Sequence, residues 1–140
     1  MDILALSDFP FKSFDKIRYS DTDRQGHVNN AVFNTYLETG RVEFLYDGEN
    51  PFFDAGSTFV IAGLQLNFLQ EIKWPGKVDI GTGVTRIGKS SIRMYQQIFQ
   101  DDQCVASAET TIVHVDEHTG KSKPLSETSK TRLEALLLKP

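Results

Sequence analysis

At 140 residues, with 39% hydrophobic and 24% charged side chains, the chain has the size and usage of one ordinary globular domain, and no apolar run nears the length that spans a bilayer. A net charge of −4, from 15 basic and 19 acidic residues, argues against a dedicated nucleic-acid or anionic-membrane surface. The single cysteine, Cys104, excludes an intrachain disulfide and any zinc site built on two thiolates.

Met1–Ser13 has neither the basic start nor the apolar core of a secretion signal, so a cytoplasmic location is expected. Phe14–Tyr19 reads as a short first strand running into the polar turn Ser20–His27. Asn29 and Asn30 are good helix caps, and from Ala31 to about Asp47 the apolar side chains Phe33, Leu37 and Phe44 recur at helical spacing, broadened by Val32, Tyr36, Val42 and Leu45. So wide an apolar arc predicts a helix packed on more than one side, with Gly40 marking the close approach of another backbone.

After the turn near Pro51 the period changes to two. Val60, Ala62, Leu64, Leu66 and Phe68 alternate as the buried face of a long strand. Trp74–Gly76, Gly88–Lys89 and Asp101–Asp102 then punctuate three further strands, around Val78–Val84, Ile92–Phe99 and Cys104–Val115. Thr128–Leu138 closes the chain as a helix. The order predicts a single α+β domain over 1–140, in which an antiparallel sheet of about five strands wraps one long apolar helix. Open sheet edges predict a homodimer.

A carboxylate, a glycine and a helix N-terminus meet between Arg18 and Arg41. First-turn N–H groups lack intrahelical partners and carry partial positive charge, which suits an oxyanion forming from a carbonyl. Gly26 lets the loop bend close to a ligand. A carboxylate beside such a hole either takes a proton from water or attacks the carbonyl itself. On physics alone Asp21 and Asp23 read first as ordinary turn and pre-helix residues.

The spacing Tyr19-x-Asp21-Thr22-Asp23-x-x-Gly26-His27-Val28-Asn29-Asn30, followed by Phe33, Glu38 and Arg41, resembles the 4-hydroxybenzoyl-CoA thioesterase-like branch of the hotdog-fold superfamily. The resemblance runs from about Ile17 to Val115. It implies a hotdog fold and an acyl-CoA thioesterase that assembles as a homodimer or homotetramer with sites at the subunit interface. It requires no cofactor, coenzyme A entering only as part of the substrate. Carried over, Asp23 matches the catalytic carboxylate, as nucleophile or general base, and the main-chain N–H of Asn30 matches the group that polarises the thioester carbonyl. Tyr19 matches a tyrosine near the catalytic Asp in one subgroup. The Asn at position 30 departs from the His of that subgroup and the Tyr of the benzoyl-specific enzyme, and looks more like the long-chain acyl-CoA and acyl-carrier thioesterases.

His27 reads either as a partner of the catalytic carboxylate or as an organiser of the turn. Glu38 and Arg41, three apart on a helix, are expected to pair with each other. Lys73–Arg93 carries a local excess of +4 against −8 elsewhere, which fits either a polyanionic ligand or a solvated strand face. Within it the turn Arg86–Ser91 resembles the family loop that runs near the coenzyme A phosphates, with Arg86, Lys89, Ser90 and Ser91 as contacts. No metal site is expected: His114 and His118 are four apart but on a strand running into a turn. Gly81-Thr82-Gly83 lacks the remainder of a dinucleotide motif, and Cys104, with no His nearby, reads as a small strand residue. An acyl-carrier-protein thioesterase and a non-catalytic acyl-binding module are the alternatives.

Overall fold

A computed structural model describes residues 3–46 and 51–138. The elements run β1 (Phe11–Ile17), α1 (Asn30–Leu45), β2 (Ser57–Phe68), β3 (Gly76–Ile87), β4 (Ser91–Gln100), β5 (Gln103–Asp116) and α2 (Glu127–Glu134), with 3-10 turns at Leu6–Asp8 and Tyr19–Asp21. All five strands form one antiparallel sheet in the order β1-β3-β4-β5-β2, the α+β arrangement expected. Among the described residues no helix is long and apolar enough to cross a membrane.

The helix begins where its caps predict. Asn29 accepts from the Ala31 N–H through its side chain, and Asn30 is the first helical residue. Its expected last residue, Asp47, lies outside the described residues. One apolar side of α1 presses on the inner face of the sheet: Phe33, Tyr36 and Leu37 meet Val78, Ile80 and Ile98, while Phe44 and Leu45 meet Val84, Ile92, Met94 and Ile112. Between β4 and β5, Asp101 and Asp102 take φ of 50° and 64°, the two left-handed residues of a tight hairpin.

Three expectations about the strands need correction, and the closing helix stops at Glu134 rather than Leu138. The first strand starts at Phe11, because its ladder to β3 extends from Phe11 opposite Thr82 to Ile17 opposite Gly76; it stops before Tyr19, because the Asp21 carboxylate accepts the Arg18 N–H and closes a turn. In β2 the register slips between Ile61 and Gly63, so Ala62 is an extra residue and the alternation changes face there. Phe59 and Ile61, opposite His114 and Ile112, therefore share the helix-side face with Leu64, Leu66 and Phe68, and Val60 does not. That face is also not buried: β2 is an edge strand, with Ile61 51% and Phe68 50% exposed.

The outer face of the sheet is covered by the two ends of the chain. Phe9 packs with Tyr95 and Phe99, with Leu4, Leu6, Cys104 and Leu138 around them. Gly81 and Gly83 are the sockets for this layer: a β-carbon at Gly81 would lie 2.4 Å from the Phe9 ring, and one at Gly83 2.5 Å from Leu138. Gln97 fastens the arm, accepting from the Leu4 N–H and donating to the Leu4 carbonyl.

Gly40 does mark a close approach, but to side chains rather than to backbone. A β-carbon there would lie 2.7 Å from Ile80 Cγ2 and 2.9 Å from Gln96 Nε2. In an open helix Gly→Ala gains about 1 kcal/mol. Here overpacking reverses the sign, and Gly40→Ala is expected to lower stability by about 1–3 kcal/mol in urea unfolding.

Candidate active site

The loop between β1 and α1 folds back on itself. The Asp23 N–H donates to the His27 carbonyl at 2.8 Å, the Gly26 N–H to the Asp23 carbonyl at 3.1 Å, and Gly26 sits at φ +82°, a conformation that disfavours side chains. The segment between β2 and β3 holds this loop in place. The Val28 N–H donates to the Ile72 carbonyl at 2.8 Å, and His27 forms a β-bridge with Lys73. Lys73 is itself clamped by the Gln100 side chain, which accepts from its N–H and donates to its carbonyl.

The two aspartates have separate tasks. Asp21 Oδ2 accepts from the Arg18 N–H at 2.9 Å and from the Tyr36 hydroxyl at 2.8 Å, and its carbonyl accepts from Asn29 N–H, the residue that caps α1. Tyr36 is fully buried; burial first, then the bond to Asp21, hold its phenol well above the ordinary tyrosine range. Asp23 is exposed, and its Oδ1 accepts only the Gln25 N–H at 2.9 Å. Its Oδ2 has no partner among the described residues.

A cleft of about 340 Å³ opens beside Asp23. Asp23, Gln25, His27 and Asn30 line its polar side, Phe33, Phe68 and Leu69 its apolar side. Phe33 and Phe68 meet edge to face at 5.0 Å, closing the space between the start of α1 and the end of β2. The Ala31 N–H is taken by the Asn29 cap, but the Asn30 N–H has no acceptor among the described residues. A carboxylate, the first residue of a helix and an apolar wall thus share one cleft, residue types that suit holding and polarising an acyl carbonyl.

The remaining candidates fall in different places. His27 lines the cleft but its Nε2 meets Glu71 Oε2 at 3.1 Å, a partner that nothing in the sequence marks. Tyr19, 74% exposed, stands edge-on to Trp74 and is not among the lining residues. Arg86 and Ser91 border a separate cleft of about 250 Å³ with Gly88, Arg93 and Thr111, and the carbonyls of Lys89 and Ser90 accept from Leu125 and His114 N–H groups. This turn lies at the far end of β3, whose 12 residues span roughly 36 Å from the end beside Ile17, so one copy of the chain does not bring it to Asp23.

His114 is fully buried and used structurally, with Nε2 accepting from the Asp54 N–H and Nδ1 facing the Lys123 carbonyl. Burial pushes the Cys104 thiol up, away from the thiolate a nucleophile needs. Among the described residues no group of three or more His, Cys, Asp or Glu side chains is placed to hold a metal ion.

The family model for the thioesterase-like superfamily matches residues 17–133. A thioesterase from Thermus thermophilus, solved in complex with coenzyme A and Zn, is 29% identical and superposes with a TM-score of 0.79 over 95% of this chain and 98% of that one. The PA5185 protein of Pseudomonas aeruginosa strain PAO1 shares the fold with a TM-score of 0.85 at 19% identity, over 96% of each chain. The YsmA protein of Bacillus subtilis (strain 168) is 24% identical over 95% of this chain and 97% of its own length.

Removing the hydroxyl that binds Asp21 tests the structural half of the pair. Tyr36→Phe is expected to lower stability by about 1–2 kcal/mol in urea unfolding.

Proposed function

The chain belongs to the thioesterase-like superfamily and is a thioester hydrolase, and on that premise we propose that it hydrolyses an acyl-CoA thioester in the cleft beside Asp23. The observation that carries this reading is the division of labour between the aspartates. Asp21 is consumed by Arg18, Tyr36 and the helix cap, whereas Asp23 keeps an oxygen with no partner among the described residues and lines a cleft that Asn30 also lines.

In this reading the thioester carbonyl lies against the start of α1, with its oxygen toward the Asn30 N–H and the helix dipole favouring the negative charge that develops there. The acyl group runs along Phe33, Phe68 and Leu69. Asp23 acts in one of two ways. As general base it takes a proton from water as that water attacks the carbonyl; the C–S bond breaks and the proton passes to the departing thiolate. As nucleophile it forms a mixed anhydride with release of the thiol, and water then cleaves the anhydride and regenerates the carboxylate. Both routes yield the free acid and coenzyme A.

Coenzyme A, rather than a carrier protein, is favoured as the thiol because the Thermus thermophilus relative was solved with coenzyme A bound. His27, held by Glu71, serves chiefly to fix the loop that carries Asp23. The Arg86–Ser91 turn joins the cleft only if a second copy supplies it, so the enzyme acts as a homo-oligomer with sites between subunits.

Asp23→Asn keeps the shape of the side chain and the Gln25 bond while removing both basicity and nucleophilicity. Its turnover of acyl-CoA, followed by thiol release, is expected to fall at least ~10³-fold with an unchanged circular dichroism spectrum. Near-normal turnover would overturn the assignment.

A further inference from the structure

The cleft beside Asp23 is acidic, and one of its charges has no part in the chemistry proposed above. Glu71, a few residues beyond the end of β2, lines the cleft with a side chain 60% exposed and holds Oε2 at 3.1 Å from His27 Nε2. Asp23 is the other carboxylate of the lining, and its Oδ2 has no partner among the described residues. None of the lining residues is Lys or Arg. Arg24 follows Asp23 in the chain and Lys73 is bridged to His27, but both are exposed and neither is among the lining residues. Two carboxylates outweigh one imidazolium, so the lining is negative whether or not His27 is protonated.

The size of the cleft makes this charge felt throughout it. About 340 Å³ corresponds to a space roughly 7 Å across, within the screening length of about 8 Å at physiological salt. An acyl group lying along Phe33, Phe68 and Leu69 therefore keeps its far end in the field of both carboxylates, wherever in the cleft it stops. A second carboxylate on that acyl group would meet like charge on the polar side and lose hydration against the apolar side, with no lining cation to compensate. An uncharged aliphatic or aromatic group meets neither cost. At a dielectric constant between that of water and half of it, one like charge at roughly 7 Å costs ~3- to 8-fold in affinity.

We infer that Glu71 is a specificity residue: with Asp23 it restricts the enzyme to acyl groups that carry no negative charge of their own, and so turns away the half-thioesters of dicarboxylic acids. This rests on the reading that hydrolysis takes place in the cleft beside Asp23. The coenzyme A portion is the same in every acyl-CoA, so its phosphates, and whatever groups meet them, cancel when two acyl groups are compared.

The test is a matched pair, glutaryl-CoA and 5-methylhexanoyl-CoA, whose acyl groups share a shape and differ in a terminal carboxylate against an isopropyl group. Thiol release by the wild type, corrected for spontaneous hydrolysis, is expected to favour the uncharged member at least ~10-fold in kcat/KM. Glu71→Gln keeps an acceptor for the imidazole and removes the charge; it is expected to narrow the ratio ~3- to 8-fold, and Glu71→Lys to narrow it further. A purely structural loss, through a loosened His27, would slow both thioesters alike and leave the ratio where it was. A wild type that cleaves glutaryl-CoA as readily as its partner, or a ratio that Glu71→Gln does not move, would overturn the inference. Release of thiol from neither compound would overturn the proposed reaction instead, and the selectivity is then decided by the same ratio, read as calorimetric dissociation constants of the two intact thioesters with wild type and Glu71→Gln.

Discussion

Asp21 is the fastening on which the end of the molecule that carries the candidate site depends. Its carboxylate receives the Arg18 N–H, where β1 stops, and the Tyr36 hydroxyl, from the second turn of α1; its carbonyl receives the N–H of the Asn29 cap. One residue thereby ties the end of a strand, the start of a helix and a buried side chain to a single point. The consequence falls two residues later. With its backbone held between Asp21 and the His27 carbonyl, Asp23 commits only one carboxylate oxygen, bonded to the Gln25 N–H, to the loop. Two chemically identical carboxylates are separated, by which of them has spare lone pairs, into one committed to structure and one free for the role proposed for Asp23.

The fastening works because the platform beneath it is rigid. Val28 and His27 are bonded to residues 72 and 73, and Gln100 holds Lys73 by both its N–H and its carbonyl, as a neighbouring strand would. Gln97 does the same for Leu4 on the outer face. Both glutamines act as surrogate peptide groups at places where the ladder has run out. This use satisfies backbone donors and acceptors that would otherwise be left unpaired near the sheet.

Much of the fold was legible in the sequence because its signals were local. The helix caps, the period of α1, the Asp101–Asp102 turn and the order of the strands each depend on residues close together in the chain. The turn that carries the candidate site was legible for the same reason, since Asp23, Gly26 and Asn30 lie within one turn and a helix start. What failed was long-range. Nothing near Ala62 announces a bulge, so the period-two reading of β2 ran through it and assigned Val60 to the wrong face. Nothing near Gly81 or Gly83 reveals that Phe9 and Leu138, from opposite ends of the chain, will occupy the space their missing side chains leave. Glu71, the partner of His27, is 44 positions away from it, and no spacing rule connects them.

The Glu38–Arg41 spacing shows how a sound local rule misses in a particular setting. Side chains three apart on a helix neighbour one another, and in an isolated helix they would meet in water at little cost. Here Arg41 turns inward against Phe59, Ile61 and Ile112 along the cleft, while Glu38 stays in solvent. Inside, the guanidinium loses hydration that an exposed carboxylate one turn away cannot replace, and burial weakens its hold on the proton despite the favourable field of Glu38. A surface ion pair contributes little whichever way it is arranged, so its absence within one chain costs little. A buried cation without a hydrogen-bond partner among the described residues is a different matter, because its desolvation is already incurred. The same helix that presents Asn30 to the cleft at one end therefore buries, at the other, a guanidinium whose Nη1 has no hydrogen-bond partner among the described residues.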